Sequence, residues 1–571
     1  MRRYIGLKII CICAFTLLGL RLFWWQVLAR DRLYYLAQSQ YTSTNTLVGE
    51  RGLIYSRDGY PLTLNRPLHN LFLYTPNLDI KQEELVSKLA VLLDPSTVID
   101  ATSSAQTSTD VAQILRERAS KPGKWLSLAK NINTAQRDEI AKLNIKALEF
   151  ETFLSRDYPE SSLAAQLLGY LAQDSTGQVA GYYGLEGYYD YELTGRVGTT
   201  TQAKDALGQV IAQSDDGNIQ SRDGRHLHLS LDRGLQFMVE KALKDALEKY
   251  QAPAGEIVVM DPTNGEILAM AALPSYNPAI YDSFDPQTYT IPSIFSTYEP
   301  GSTFKVFTTA AAIEAGVAGP DTVCNQECAG PVRIGQYAIN TWNSEYNPGQ
   351  TLTEALARSD NTAMVYIANL LGKDHFVEAV KKFGFGSKTN IDLETESAPA
   401  LKTRWGDIDV ATASFGQGIA VTSLQMVRAL SAIANGGMLL TPHLVVEVED
   451  NGQRLPVAVP EPERVISDNT AKLVTQMMVE AVKTGEAKWA IPQGYTIAGK
   501  TGTAQLPIAG QYDADKTIAS FIGFAPAKNP RIAMLVKLES PQASPWASET
   551  AAPAWFKLLT QILPYLSIPP S

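Results

Sequence analysis

Pro300-Gly301-Ser302-Thr303-Phe304-Lys305-Val306-Phe307-Thr308-Thr309-Ala310-Ala311-Ala312-Ile313 is the stretch on which the rest of the chain is read. Pro300-Gly301 breaks the chain, and the apolar run after it predicts a buried helix ending at Gly316. Ser302 then falls on the first turn, where unpaired N–H groups and the positive dipole end favour a developing alkoxide. Lys305, three residues on, shares its face. The bland role for such a lysine is to snorkel out to solvent, but an apolar helix has little other use for it.

Two more short motifs have fitting contexts. Ser359-Asp360-Asn361 lies between a short helical stretch, 351–358, and an apolar one, 363–368, so it reads as a helix–helix turn that projects into a cleft. Lys500-Thr501-Gly502-Thr503 comes after the β-like Tyr495-Thr496-Ile497-Ala498-Gly499, and the strand continues through Gln505. A glycine-flanked lysine on a strand marks a place where backbone approaches a ligand closely. Each motif has a double elsewhere. Ser127-Leu128-Ala129-Lys130 comes after a loop and reads as a surface helix start; Ser467-Asp468-Asn469 reads as an N-cap, and Lys483-Thr484-Gly485 as the end of the same helix. In this order and setting, the three main motifs describe an active-serine acyl-transfer site with lysine as its base.

Over nearly its whole length the chain resembles the class B penicillin-binding proteins. The resemblance and the residues together imply a mechanism. Ser302 Oγ attacks an acyl carbonyl and forms an acyl-enzyme. Lys305 takes the proton, which requires lowering a lysine pKa of about 10.4 by about three units, roughly 4 kcal/mol. Burial, the helix N-terminus and the second cation Lys500 all act in that direction. Ser359 bridges Lys305 and Lys500 as a proton relay, and Asn361 hydrogen-bonds Lys305 and a substrate amide. The N–H groups of Ser302 and Thr503 hold the oxyanion, as in related enzymes. Thr501, Gly502 and Thr503 form the substrate-binding strand, whose hydroxyls with Lys500 hold a carboxylate. The substrate that the family implies is a peptidoglycan stem ending in D-alanyl-D-alanine; β-lactams acylate the same serine. No cofactor and no metal are expected.

At 571 residues, with 45 % hydrophobic and 19 % charged residues, the chain has the composition of a multidomain globular protein. A net charge of -10 argues against nucleic acid as a partner. Arg2, Arg3 and Lys8 precede an apolar run over 9–28 that Arg21 interrupts. No small-x-small cleavage pattern comes after it, so the run reads as an uncleaved single-pass anchor in the cytoplasmic membrane, with its N-terminus in the cytoplasm and the rest outside. Cys11 and Cys13 fall inside the anchor. Cys324 and Cys328, exported, are placed to form a small-loop disulfide. None of the five histidines lies in a catalytic-looking segment, which disfavours a Ser-His-Asp site.

The expected domains are a tail, 1–8; the anchor, 9–28; an irregular pedestal of dimerisation type, 29–226; and a penicillin-binding transpeptidase domain, 227–571. Within the pedestal, the segment 50–59 and Gly184-Leu185-Glu186-Gly187-Tyr188-Tyr189-Asp190 resemble family motifs, although Ser56 stands where the family usually has Asp. A variable lobe containing 102–109 lies between them. Strands at 256–260, 266–270, around Lys500, 518–524 and 531–538, with helices between, predict a multidomain α+β chain whose transpeptidase domain has one antiparallel five-stranded sheet covered on both faces. The resemblance implies a glycan polymerase of the SEDS type as partner, with other cell-wall machinery of the membrane. It also favours the division branch over the elongation branch, on Ala498–Gln505, Ser520–Pro526 and Ala551–Pro553. A D,D-carboxypeptidase, a β-lactamase and a β-lactam-binding sensor or scaffold are the rival readings on the same fold.

Overall fold

The computed structural model describes residues 2–98, 110–204, 210–213, 219–508 and 511–570; the stretch 102–109 lies outside them. The chain divides into two compact units, Met1–Gly52 with Thr194–Arg225, and Leu53–Leu193 with His226–Ser571.

In the first unit, helix Arg2–Phe23 runs on through a π-helical turn, Trp24–Leu28. Tyr4–Leu28 is the one helical stretch among the described residues long and apolar enough to cross a membrane. It begins five residues before the expected anchor because a single lysine, Lys8, does not stop a helix; its long stem can carry the charge to an interface. Strand Thr42–Val48 pairs antiparallel with Val197–Lys204, and Glu50 N–H donates to Asp223 Oδ1 at 2.8 Å.

The second unit contains a three-stranded antiparallel sheet in the order Trp125–Ile132, Leu64–Tyr74, Leu148–Asp157. Ser127 and Lys130 therefore lie on a strand, not at the expected helix start. The period-two alternation of buried Leu126 and Leu128 overrode the helix-start reading. Glu186, in the second pedestal motif, is fully buried against Arg156, Oε1 to Nε 2.7 Å. Ser56 Oγ donates to Asp58 Oδ1, so the carboxylate that the family places at 56 has a substitute two residues on. Ala164 N–H donates to Glu240 at 2.7 Å, and Arg233 pairs with Glu160 at 2.7 Å, tying this region to the helix that opens the next one.

That helix is α1 (Arg233–Tyr250), capped by Asp232. After it come β1 (Ala254–Met260) and β2 (Ile267–Leu273). A helical block is next: α2 (Lys305–Glu314), α3 (Leu352–Ala357), α4 (Asn361–Leu371), α5 (Ser423–Ala434) and α6 (Asp468–Thr484). The chain closes with β3 (Ala498–Ile508), β4 (Gln511–Ala525), β5 (Ile532–Glu539) and α7 (Ala551–Tyr565). The five strands form one antiparallel sheet in the order β2-β1-β5-β4-β3. Early and late strands thus meet in mid-sheet, and the strand bearing Lys500 is left at an edge.

Period-two alternation sends neighbouring side chains to opposite faces. Ile257 and Val259 pack with α1 and α7, around Trp555 and Phe556. Val258 and Met260 pack with α2, α4, α5 and α6. Helices cover both faces, as the sequence implied. Ser467 caps α6 by accepting from Thr470 N–H, and Gly485 closes that helix, as expected of these two decoys. Cys324 and Cys328 form a disulfide.

Candidate active site

A 3₁₀ turn, Gly301–Phe304, precedes α2, so Ser302 sits one turn before the α-helix proper and Lys305 is its first residue. Three glycines allow this turn to be gripped closely. Gly301 has φ +54° and donates its N–H to Gly416 O at 3.0 Å. A Cβ on Gly416 would lie 2.1 Å from Gly301 O, so two backbones cross where no side chain fits. A Cβ on Gly502 would come within 2.7 Å of Thr303 Cγ2 and 2.9 Å of Pro300 O. The edge strand β3 is therefore pressed directly against the Ser302 turn. Thr303 Oγ1 donates to Pro300 O at 2.7 Å and braces the turn from within. Ser302 itself is half-buried.

Lys305 is fully buried. Its Nζ donates to Ser359 O at 2.5 Å and to Ser359 Oγ at 3.2 Å. Burial, then the charge of Lys500, hold the Lys305 amine well below the usual lysine range against opposing pulls from Asp360 and Glu486. Ser359 is 6 % exposed and has φ +59°, an uncommon conformation for serine. The next residue anchors it: Asp360 caps α4 through the N–H groups of Thr362 and Ala363 and accepts from Gln350 Nε2 at 2.6 Å. The hydroxyl is thus placed beside an amine rather than left to rotate with a mobile loop.

Lys500 is 3 % exposed, and burial pushes its amine down to about 8. Its Nζ donates to Thr501 O at 3.1 Å and Thr501 Oγ1 at 3.2 Å. Thr501 O therefore faces the open edge of the sheet, and Thr503, two residues on, has the same parity. Thr503 Oγ1 accepts from Ala547 N–H at 3.1 Å.

The structure thus brings Ser302, Lys305, Ser359 and the Lys500–Thr503 strand close to one another. Two expected contacts differ. Ser359 touches Lys305 but not Lys500, whose amine is taken up by Thr501. Asn361 donates through Nδ2 to Asn340 O at 2.9 Å and not to Lys305. No Ser302–Lys305 hydrogen bond is made among the described residues; such bonds often tighten only with substrate in place. Sequence reasoning missed Trp342 and Trp546, which meet edge to face with ring centroids 5.4 Å apart. Trp342 Nε1 donates to Arg358 O beside the Ser359 turn, and Trp546 precedes the Ala547 that bonds Thr503. Two isolated tryptophans 204 positions apart carry no local signal that they pair.

A half-buried hydroxyl three residues before a buried amine held well below the usual lysine range, with a second amine on a strand edge, is the arrangement that serine acyl transfer with a lysine base would use. Comparison with known proteins is more specific. The model of the penicillin-binding protein transpeptidase domain matches residues 255–560, and that of the penicillin-binding protein dimerisation domain matches 46–229. Stage V sporulation protein D of Bacillus subtilis is 31 % identical over 100 % of this chain and 86 % of its own length. The peptidoglycan D,D-transpeptidase FtsI of Escherichia coli is 30 % identical over 99 % of this chain and 93 % of its own. The crystal structure of a peptidoglycan synthetase from Bifidobacterium adolescentis superposes with a TM-score of 0.72 at 24 % identity, covering 93 % of this chain and 98 % of that one. The chain belongs to the class B penicillin-binding protein family.

Proposed function

We propose that this chain is a membrane-anchored serine D,D-transpeptidase that cross-links peptidoglycan stem peptides through a Ser302 acyl-enzyme. The observation that carries the reading is Lys305: a fully buried amine, held well below the usual lysine range by burial and then Lys500, three residues from a half-buried serine and bonded to Ser359. Ser302 Oγ attacks the penultimate carbonyl of a D-alanyl-D-alanine terminus and passes its proton to Lys305. Ser359, in contact with Lys305, relays that proton to the departing amine of D-alanine. The N–H groups of Ser302 and Thr503 receive the oxyanion. Thr501, Thr503 and Lys500 hold the terminal carboxylate, and the half-exposed carboxamide of Asn361, fixed on Asn340, meets the substrate amide. An amine from a neighbouring stem then attacks the ester.

The basic residues before the apolar helix support an N-terminus in the cytoplasm and a cleft outside. The family resemblance supports a glycan polymerase of the SEDS type as its partner in the same membrane. The motif resemblance around Lys500 and 520–526 supports a role in septal synthesis.

Fluorescent penicillin is expected to label the wild type covalently, and Ser302→Ala to abolish labelling. Persistent labelling of Ser302→Ala at another serine refutes the assignment. A donor peptide with an amine acceptor then separates transferase from carboxypeptidase or non-catalytic sensor by product.

The second lysine imposes a pH dependence. Holding a carboxylate requires Lys500 charged, and its pKa of about 8 means the cation is lost above that pH. The second-order rate of penicillin acylation should therefore fall with an apparent pKa of about 8 on the alkaline limb. An ordinary lysine there would keep the rate level to about pH 10.

A further inference from the structure

A groove of about 650 Å³ runs between the C-terminal ends of α3 and α6, and its wall includes Trp342, Arg358, Asp360, Glu480, Glu486 and Lys488. It adjoins the reaction centre: Arg358 immediately precedes Ser359, and Asp360 comes immediately after it. Glu486 lies near enough to both Lys305 and Lys500 for its charge to act on each. Asp360 is engaged in capping α4. The side chains of Arg358, Glu480, Glu486 and Lys488 make no hydrogen bond or ion pair among the described residues. A groove beside a reaction centre, lined by two unengaged anions and two unengaged cations, is complementary to a ligand carrying both signs.

The direction of the chemistry says which ligand. The carboxylate held by Lys500, Thr501 and Thr503 belongs to the leaving D-alanine, so the amine that departs does so toward the Lys500 end of the cleft. The attacking amine must occupy the same position relative to the acyl carbon, because aminolysis is the acylation step run backwards with a different amine. The groove flanks Ser359 through Arg358 and Asp360, and it carries Glu486, whose charge reaches Lys500. Trp342, in its wall, meets Trp546 edge to face, and Trp546 precedes the Ala547 that bonds Thr503.

Resting on the transpeptidase reading, we infer that this groove is the acceptor site, in which Glu486 receives the ammonium of a peptide amine and Arg358 and Lys488 receive that peptide's own carboxylate. The ammonium yields its first proton to solvent along the Glu486 carboxylate. The free amine then attacks the Ser302 ester carbonyl, the C–N bond forms, and the C–Oγ bond breaks. The second amine proton returns through Ser359 and Lys305 to Ser302 Oγ, which regenerates the enzyme.

The test uses the detergent-solubilised full chain, a thioester analogue of the acyl-D-alanyl donor, and glycylglycine or glycylglycinamide as acceptor. Glu486→Gln should raise the glycylglycine concentration for half-maximal aminolysis about tenfold, as loss of one charge-assisted contact does. The ratio of aminolysis to hydrolysis at low glycylglycine, which does not depend on how fast the acyl-enzyme forms, should fall by about the same factor, and Glu486→Asp should recover most of the loss. Arg358→Gln should weaken glycylglycine but not glycylglycinamide, which lacks the carboxylate. Unchanged acceptor dependence in Glu486→Gln overturns the acceptor site. So does a parallel fall of aminolysis and hydrolysis, which would assign Glu486 to the lysine pair alone. A wild type that penicillin does not label at Ser302 sinks the transpeptidase reading and this site with it.

Discussion

Lys305→Met is expected to slow penicillin acylation by about 10²–10⁴-fold, the range of a lost general base, while making the folded chain more stable. The two effects have one cause. Methionine fills nearly the volume of the lysine stem at a site that is fully buried, so packing is kept. What disappears is an amine that the fold must hold uncharged. The base role requires the amine uncharged at pH 7, and against an ordinary lysine pKa of about 10.4 that requirement would cost the fold about 4–5 kcal/mol. Against that gain stands the loss of the hydrogen bonds to Ser359 O and Oγ, about 2–3 kcal/mol for buried partners left unpaired. The net expectation is about 1–3 kcal/mol of added stability. A pH signature accompanies it. The folded chain binds the Lys305 proton more weakly than the unfolded chain, so unfolding takes up a proton above the depressed value and stability rises with pH toward about 10.4. Lys500 adds a rise of the same sign between about 8 and its ordinary value of 10.5. In Lys305→Met the Lys305 share of that rise is absent. The measurement is urea unfolding from pH 7 to 10 beside the acylation rate; a variant both inactive and less stable would show that Lys305 serves the fold rather than the chemistry.

How much of this was legible beforehand depends on how local the signal is. The helix after Ser302, the turn bearing Ser359 and the strand bearing Lys500 are written in contiguous residues, and each formed where the periodicity and the Gly or Pro breaks placed it. The five strands were legible for the same reason, although their order was not, since β1 pairs with β5 across more than 250 intervening residues. Contacts between side chains were less legible. Which donor Lys500 would choose depends on the twist of one edge strand, and it chose its neighbour Thr501. Asn361 was drawn away by Asn340, a backbone carbonyl with no sequence mark. Ser127 misled because a four-residue motif and a loop before it outweighed an alternation of only two leucines. The charges around Glu486 sit at helix ends, where charged residues are ordinary, so nothing in the sequence set them apart.

Lys537→Met should be among the most damaging substitutions in the domain, costing about 3–5 kcal/mol, although its side chain is as buried as that of Lys305. The two lysines differ in what surrounds them. Lys537 lies on β5 directly opposite Glu256 of β1, Nζ to Oε1 2.5 Å, with both side chains almost fully buried. Burial alone would lower its pKa, but Glu256 and Glu539 outweigh burial and hold the amine charged, above its usual range. The Tyr298 ring lies 4.7 Å from the same amine. Glu256 also accepts from Ser423 Oγ at 2.8 Å and from Ser293 Oγ, so one carboxylate fastens α5 and the segment leading to the Ser302 turn onto the sheet. Removing the lysine strands that carboxylate among apolar neighbours with only two hydroxyl donors. The loss should therefore vanish when the stranded charge is removed with its partner. Glu256→Gln with Lys537→Met removes both charges and should return close to wild type. The check is the urea concentration at which half of the full-length protein still takes fluorescent penicillin, at pH 7.5. A single variant as stable as the wild type at pH 7.5, or a double variant as weak as the single, would mean that packing rather than the charge pair holds this seam together.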